Sequence, residues 1–251
     1  GRRAVVVPSI EASPIAIVVV AAPRSRATVQ VTRPTPIKAA RRAAIATAVG
    51  GLGNAVHGSL PAPSVRRTAL GEGVCDAHSD GGPGGEALAL VGAPSAYCAR
   101  LAERAGFRGV YLSGGGVALS SLGVPDLGVT ALSDVLEDAR RITRACSVPL
   151  LVDADTGFGP TALNIARCVR DLEAAGVAGL HLEDQALAKR CGHRPNKRIV
   201  AAEEMAARIR AAAEARRDPD FVVMARTDAV ASEVVASAVE RCQAYVEAGA
   251  D

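Results

Sequence analysis

The amino-acid sequence predicts an α/β fold with a parallel sheet, and more specifically a (β/α)8 barrel of the TIM type. Three observations lead to this prediction: short apolar runs alternate with longer helical stretches, the joints between helix and strand repeat, and polar residues follow several different strands. The regular pattern occupies residues 86–251, which we interpret as a partial barrel domain truncated after about five βα units.

The predicted strands are nearly continuous in apolar residues, as is typical of parallel strands that are covered on both faces. They lie at residues 87–91, 109–113, 149–153, 178–183 and 221–226. The predicted helices lie at residues 95–105, 133–146, 161–175, 201–216 and 231–248. Strict alternation of the two kinds of element predicts the parallel sheet.

Glycines mark the joints that lead from a helix into the next strand. Residues 103–106 read Glu-Arg-Ala-Gly, residues 173–176 read Glu-Ala-Ala-Gly, and residues 247–249 repeat the form as Glu-Ala-Gly. Glycine adopts the left-handed conformation that ends a helix. The third copy predicts a further strand where the sequence stops. Because five βα units cannot close a barrel, we expect this piece alone to be poorly stable and inactive, with exposed strand edges.

Two architectures contain such a sheet, a barrel and a doubly wound sheet. Polar residues stand at the C-terminal ends of several strands, at Ser113, Asp153, Asp155 and residues 181–184 and 226–228. A barrel builds one site from the ends of many strands, whereas a doubly wound sheet concentrates its site at one switch point. The distribution therefore favours the barrel.

Residues 1–85 show no sustained period and are predicted to be an N-terminal extension that is disordered or leader-like. Residues 1–71 hold ten basic residues and a single acid, Glu11. An acid-poor segment with Arg and Ser is typical of an organellar transit peptide, and sequence translated upstream of the true start is the alternative. Short apolar pieces at residues 4–7 and 15–20 are candidates for isolated strands.

Composition and charge restrict the class of protein. The chain has 49% apolar and 22% charged residues and a net charge of +3, as expected of a globular protein. The basic segment has no aromatic residues on which bases could stack, so we expect no nucleic-acid partner. The apolar run at residues 15–22 is far shorter than the ~20 residues that span a bilayer, so we expect no membrane partner. Six cysteines without a Cys-x-x-Cys pair indicate an intracellular setting, cytoplasmic or, if residues 1–70 are a transit peptide, mitochondrial.

Three glycines follow the second predicted strand, in the run Ser113-Gly114-Gly115-Gly116. Glycines let backbone N–H groups approach an anion closely, so the run is a candidate nest for a carboxylate or phosphate, and a flexible turn is the alternative. It is not a P-loop, because no Gly-Lys-Ser/Thr follows.

Acidic residues follow the third and fourth predicted strands. Asp153 and Asp155 are spaced to aim towards the same mouth of a barrel, where their repulsion calls for a divalent cation. Mg²⁺ takes one or two carboxylates and completes its shell with water and substrate oxygens. His181 and Glu183 alternate onto one face, and Glu183 is a candidate metal partner through water. Helix capping and solvated acids are the alternatives.

The most distinctive stretch is Lys189-Arg190-Cys191-Gly192-His193-Arg194-Pro195-Asn196-Lys197. A thiol between two cations and near a histidine is expected to have a lowered pKa and to exchange a proton near neutral pH. Gly192 and Pro195 suggest a shaped loop that acts as a lid. A solvated basic loop with an incidental cysteine is the alternative.

Arg226 closes the fifth predicted strand, in Met224-Ala225-Arg226-Thr227-Asp228. An arginine at this end can grip a substrate carboxylate with two parallel hydrogen bonds. The alternative is an internal salt bridge to Asp153 or Glu183.

Together these motifs resemble the isocitrate lyase/phosphoenolpyruvate mutase superfamily over about residues 86–251. The runs at residues 111–116, 123–128, 152–155, 181–184, 189–197 and 224–228 carry the resemblance. The Lys-Arg-Cys-Gly-His run is specific for the lyases, and its Arg-Pro-Asn-Lys continuation favours those that cleave 2-methylisocitrate. Residues 1–85 carry no resemblance.

The resemblance implies a (β/α)8 barrel, usually tetrameric, that binds Mg²⁺ or Mn²⁺ and a small-molecule substrate. The metal positions match Asp153 and Asp155, with Glu183 near the metal through water. The substrate positions match Ser113, Gly114, Gly115, Asp126, His181, Gly192 and Arg226, and the catalytic positions match Lys189, Arg190, Cys191 and His193.

The implied reaction is retro-Claisen cleavage of 2-methylisocitrate to pyruvate and succinate. His181, Arg190, His193 and Arg226 are expected to stabilise the charge on the succinate half, and Cys191 to deliver its proton. Another 2-hydroxy-diacid lyase or decarboxylase of the superfamily and an inactive truncated copy remain alternatives.

Overall fold

Five parallel strands follow one another across the sheet in the order of the chain. The computed structural model describes residues 17–18, 88–192 and 194–251. The parallel strands are β2 (Val91–Gly92), β3 (Val110–Leu112), β4 (Leu150–Asp153), β5 (Gly179–Glu183) and β6 (Val222–Thr227), and a short strand, β1 (Ile17–Val18), pairs antiparallel with β6. Each parallel strand lies next to its neighbour in sequence, as in the wall of a barrel.

A helix follows each parallel strand or the loop after it. The helices are α1 (Ala96–Arg104), α2 (Gly114–Val117), α3 (Leu132–Ala145), α4 (Ala162–Ala174), α5 (Ala202–Ala215) and α6 (Val235–Glu247). A π-helical turn, Ala118–Leu122, extends α2, and a 3-10 turn, Ala229–Ala231, precedes α6. The hydroxyl of Ser95 accepts the N–H of Cys98 at the start of α1, and Thr161 caps α4 in the same way, which explains why these two helices begin where the sequence predicts.

Alternate residues of each strand lie on opposite faces of the sheet. Val110, Leu150, Leu180 and Val223 belong to the large core that the sheet shares with the helices. Leu151, Ala178 and Met224 form a second cluster with Leu88, Leu90 and Val222, against which Tyr111 packs. The second face continues into the polar residues at the strand ends, so the site described below lies on the face opposite the large core.

The strands lie at or within one residue of the predicted ranges, with one larger difference. Of the range 87–91 only Val91 belongs to β2, which among the described residues pairs with β3 and stands at the end of the strand order. The predicted helices match α1 and α3 to α5 within one residue, and α6 begins four residues later than predicted, after a 3-10 turn. The glycine run, predicted as a nest or turn, instead begins the short helix α2. Three glycines have low helix propensity, so nothing local predicted this turn.

The N-terminal extension, residues 1–85, lies outside the described residues except for β1, and so does the predicted transit peptide. Ile17–Val18 falls within the apolar piece at residues 15–20, where a strand was predicted, but it pairs with β6 and is therefore not isolated. The other predicted piece, residues 4–7, lies outside the described residues. In the part of the chain that the structure describes, no helix is both long and apolar enough to cross a membrane.

Asp184, directly after β5, links the end of the sheet to α6. Its carboxylate is fully buried and accepts hydrogen bonds from Thr227 Oγ1 at 2.6 Å, from the Asp228 N–H at 2.9 Å and from the Tyr245 hydroxyl at 3.0 Å. Because Asp184→Ala would leave these buried donors without an acceptor, we expect it to lower the free energy of unfolding by about 3 kcal/mol. Chemical denaturation measures this, with Glu137→Ala as the control, since Glu137 pairs with Arg141 on the surface. Equal effects of the two substitutions would contradict the assignment.

Candidate active site

Five polar side chains lie on the face of the sheet opposite the large core: Tyr111, Asp153, His181, Glu183 and Arg226. The register pairs Asp153 with His181 and Glu183 with Arg226, so these residues are neighbours across adjacent strands. Asp153, His181 and Glu183 are all at least 95% buried. The alternation of each strand therefore brings together residues that stand far apart in the sequence.

Asp153 and Asp155 form the acidic pair. The backbone N–H of Gly114 donates to Asp153 Oδ2 at 3.1 Å, and the N–H of Asp155 donates to Asp153 Oδ1 at 3.1 Å. Asp155 has a φ of +49°, a left-handed conformation that Asp tolerates better than most residues and that is concentrated at functional sites. An added Cβ on Gly114 would stand 3.1 Å from Asp155 Oδ1 and 3.3 Å from Asp153 Oδ2, so both carboxylates face this glycine.

The two aspartates have pKa values shifted in opposite directions. Burial works against charge on Asp153, but His181, Lys189 and Arg226 outweigh it and lower its pKa to about 2. Burial and the neighbouring charge of Asp153 raise the pKa of Asp155 to about 7. Asp153 is therefore the carboxylate that is ionised near neutral pH, whereas a further cation would favour the ionised form of Asp155.

Lys189 supplies positive charge to this pair. Its ammonium lies 2.7 Å from Asp126 Oδ1 and 2.6 Å from Asp155 Oδ1. Burial works against the charged form, but Asp155 and Asp153 outweigh it and raise the pKa of Lys189. Lys189 and Asp126, which the sequence analysis assigned to catalysis and to substrate binding, thus meet at the acidic pair.

His181 connects Asp153 to a tyrosine. The Tyr111 hydroxyl lies 2.8 Å from His181 Nε2, the two rings stack with centroids 5.7 Å apart, and His181 Nε2 lies 3.6 Å from Asp153 Oδ1. Burial lowers the pKa of His181, which favours the neutral imidazole. Tyr111 was not among the predicted site residues, although its position in β3 puts it on the same face as Asp153.

Glu183 and Arg226 form an ion pair, with Arg226 Nη1 3.2 Å from Glu183 Oε2. This matches the alternative interpretation of Arg226 as a partner of an internal salt bridge. Arg226 also lies 3.2 Å from Asp228 Oδ2. Glu183 Oε1 is buried and has no hydrogen-bond partner among the described residues, and burial raises the pKa of Glu183 well above its usual range.

These carboxylates fit a magnesium ion that has few protein ligands. Among the described residues, no group of three or more His, Cys, Asp or Glu residues is arranged to hold a metal by itself. Mg²⁺ does not need such a cage, because it binds through one or two carboxylates and keeps several waters. Asp153 and Asp155 could supply the oxygens, Glu183 Oε1 could accept a hydrogen bond from a water near the metal, and a cation would favour the charged forms that burial disfavours.

The loop that carries Cys191 reaches the same site. Cys191 is half-buried, and an added Cβ on Gly192 would collide with Nη2 of Arg226. Gly192 therefore packs directly against the guanidinium that pairs with Glu183. A cleft of about 350 Å³ lies beside the loop and is lined by Asp155, Lys189 and residues of the neighbouring loops.

Other predicted site residues have different surroundings. Ser113 is half-buried and precedes α2, without a hydrogen bond from its side chain to the helix. An added Cβ on Gly115 would stand 3.1 Å from Asp126 Oδ2. The side chain of Arg190 is exposed, and His193 lies outside the described residues. The N–H of Gly114, a predicted donor to substrate, already donates to Asp153.

Comparison with known proteins identifies the family of the chain. A family model described as phosphoenolpyruvate phosphomutase matches residues 83–251, about two thirds of the chain. The chain belongs to this family. The chain is 64% identical over 164 residues to the 2-methylisocitrate lyase of Escherichia coli strain K12, covering 65% of this chain and 55% of that protein. It thus spans about half the length of the curated relatives it matches.

Solved structures of the PEP mutase/isocitrate lyase superfamily share the fold. The crystal structure of 2,3-dimethylmalate lyase, a member of this superfamily, superposes with a TM-score of 0.64 at 34% identity, over 77% of this chain and 62% of that one. Phosphonopyruvate hydrolase in complex with oxalate and Mg²⁺ superposes with a TM-score of 0.61 at 37% identity, over 76% and 62% of the two chains. These neighbours confirm the predicted fold class, a TIM-type barrel of which this chain contains part.

The close approach of Gly114 to the acidic pair gives a direct test of the site in this family member. We expect Gly114→Ala to weaken Mg²⁺ binding by about tenfold, because the new methyl group pushes against both carboxylates. Isothermal calorimetry measures the change, and Gly92→Ala is the matched control, since no atom lies within 4 Å of its added Cβ. Unchanged affinity in Gly114→Ala would remove the acidic pair from the metal site.

Proposed function

We propose that the protein is a Mg²⁺-dependent lyase that cleaves 2-methylisocitrate to pyruvate and succinate inside the cell, as a step of propionate breakdown by the methylcitrate cycle. The observation that carries the proposal is the Cys191 loop, which packs against Arg226 beside the acidic pair. The 64% identity to an enzyme named 2-methylisocitrate lyase supports the same substrate.

The acidic pair and its neighbours divide the work of binding. Asp153 and Asp155 would hold the metal, and Glu183 would accept from one of its waters. When bound, Mg²⁺ would supply positive charge that makes the substrate hydroxyl more acidic and orients it. The Lys189 ammonium pairs with Asp155 and so reduces the repulsion between the carboxylates of Asp153 and Asp155. The Tyr111–His181 pair orients Asp153 and presents a neutral imidazole to the site.

The bond changes follow from this placement. The substrate hydroxyl loses its proton to water, its oxygen forms the carbonyl of pyruvate, and the electrons of the C2–C3 bond pass to the succinate half. Arg226 lies where it stabilises the negative charge that develops there. Cys191 then donates its proton to the succinate carbon, which completes the reaction. The cysteine begins each cycle as a thiol and must recover a proton before the next.

A second candidate is the cleavage of a related 2-hydroxy-diacid. Its support is the fold that the chain shares with a protein named 2,3-dimethylmalate lyase. Isocitrate and 2,3-dimethylmalate are therefore the informative competitors of 2-methylisocitrate.

A substrate panel tests the proposal. We expect full-length protein with Mg²⁺ to give a kcat/KM for 2-methylisocitrate that exceeds those for isocitrate and 2,3-dimethylmalate by about tenfold or more. Isocitrate lacks one methyl group, which in a fitted pocket is worth roughly this factor, and 2,3-dimethylmalate lacks one carboxylate. Pyruvate from 2-methylisocitrate or 2,3-dimethylmalate, and glyoxylate from isocitrate, are each measured by reduction with a coupled dehydrogenase. A preference for another substrate would replace the proposed one, and turnover of none would reject the lyase.

A further inference from the structure

The two residues that flank Cys191 are held by different buried side chains, Gln185 and Lys197. Neither had a role in the sequence analysis, although Lys197 lies in the cysteine motif. Both are attached to one carboxylate, that of Asp228.

Gln185 holds the residue before the cysteine. Its amide Nε2 donates to the carbonyl of Arg190 at 2.9 Å, and its Oε1 accepts the N–H of Arg190 at 3.0 Å. The side chain of Gln185 therefore pairs with both backbone groups of Arg190, as a neighbouring strand would. Gln185 is 1% exposed, so water does not compete for these bonds.

Lys197 holds the residue after the cysteine. Its ammonium donates to the carbonyl of Gly192 at 2.6 Å and lies 2.9 Å from Asp228 Oδ1. The side chain of Lys197 is 2% exposed, which makes this a buried charge that must keep its partners.

Asp228 joins the two holders. Its Oδ2 accepts from Gln185 Nε2 at 2.9 Å, its Oδ1 accepts from Lys197, and Nη2 of Arg226 lies 3.2 Å from Oδ2. Burial works against charge on Asp228, but Arg226 and Lys197 outweigh it and lower its pKa. The backbone N–H of Asp228 donates to Asp184, which ties this carboxylate to the rigid end of the sheet.

We propose that Asp228 is a positioning residue that fixes both flanks of Cys191, through Gln185 and Lys197, and sets the direction of the thiol relative to Arg226. The role of the thiol as proton donor rests on the proposed function, but its placement does not. Arg226 contacts the same carboxylate, so Asp228 fixes the position of the Cys191 loop relative to the Arg226 guanidinium.

Hydrogen exchange tests the hold on the loop. We expect Gln185→Ala, Lys197→Met and Asp228→Asn to speed amide exchange in residues 189–192 by about tenfold or more, since each removes a buried hydrogen bond, while exchange in β4 stays unchanged. Asp138→Asn is the matched control, because Asp138 is also a buried carboxylate, bound to Ser121 and Arg141 away from the loop.

Alkylation by iodoacetamide tests the placement of the thiol. We expect the rate at Cys191 and its dependence on pH to change by about threefold or more in Gln185→Ala and Asp228→Asn, whereas Cys98 reacts as before. A loop that exchanges at the parent rate would overturn the proposal. A loosened loop with an unaltered Cys191 profile would also overturn it, since Asp228 would then be only structural.

The readouts separate this inference from the proposed function. Exchange and alkylation need no substrate, so altered Cys191 chemistry in a protein without lyase activity would support Asp228 and reject the lyase. If Asp228→Asn does not fold, Gln185→Ala and Lys197→Met give the same two readouts from either flank.

Discussion

Replacing Cys191 by serine is expected to lower kcat on 2-methylisocitrate by about a thousandfold, the scale of a lost general acid. A serine hydroxyl has nearly the same size as the thiol but is a far weaker acid, so it cannot donate the proton that the succinate carbon requires. The substitution should leave the fold intact, because Cys191 is half-buried in a loop outside the hydrophobic core.

Steady-state kinetics of the Cys191→Ser variant, with circular dichroism to verify the fold, measure this effect. Cys98→Ser is the matched control, because Cys98 is also half-buried but lies in α1, away from the site. Activity of Cys191→Ser within a few-fold of the parent protein would remove Cys191 from the chemistry. A comparable loss in both variants would point to general instability.

Replacing Asp153 by alanine is expected to weaken Mg²⁺ binding by about 100-fold or more and to abolish turnover at ordinary metal concentrations. Loss of an outer-shell partner alone costs about 10- to 100-fold in metal affinity, and Asp153 is proposed as a direct ligand. Asp153 is also the carboxylate of the pair whose pKa is lowered, so it is the firmly charged one.

Calorimetric titration with MgCl₂ measures the affinity of the Asp153→Ala variant. Asp171→Ala is the control, since Asp171 is a surface carboxylate paired with Arg167 on α4. An Asp153→Ala variant that binds Mg²⁺ as the parent does would show that the metal lies elsewhere or is not needed.

The periodicity of the sequence predicted most of the fold. Continuous apolar runs predicted β3 to β6, because parallel strands are covered on both faces and their residues are therefore nearly all apolar. The predicted starts of α1 and α4 agree with the structure, in which the hydroxyls of Ser95 and Thr161 cap the first turn of each helix. The strand ends at Asp153 and Glu183 then placed the acidic residues at one edge of the sheet.

Contacts between distant residues were beyond local pattern. The helix α2 begins on three glycines, whose propensity argues against it, so its stability comes from contacts with its surroundings. Tyr111 belongs to the site because β3 pairs with β4 and β4 pairs with β5, which carries His181. The pairing of Lys189 with Asp126 spans 63 positions, which no spacing rule predicts.

The buried frame around Asp228 shows the same limit. Lys197 and Asp228 stand in two of the motifs described above and Gln185 directly follows a third, yet their residue types alone suit a solvated loop equally well. Burial decides the matter, because a lysine that is 2% exposed must be paired. Sequence indicated where the chemistry lies, and three-dimensional packing shows what holds the thiol there.

The most direct test of the account is the reaction of 2-methylisocitrate with full-length protein in D₂O, followed by proton NMR. With Mg²⁺ present we expect equal amounts of pyruvate and succinate, with one deuteron carried by each succinate, and no products when EDTA removes the metal. Absence of pyruvate with Mg²⁺, or equal turnover with and without EDTA, would contradict the assignment of this site as a metal-dependent carbon–carbon lyase.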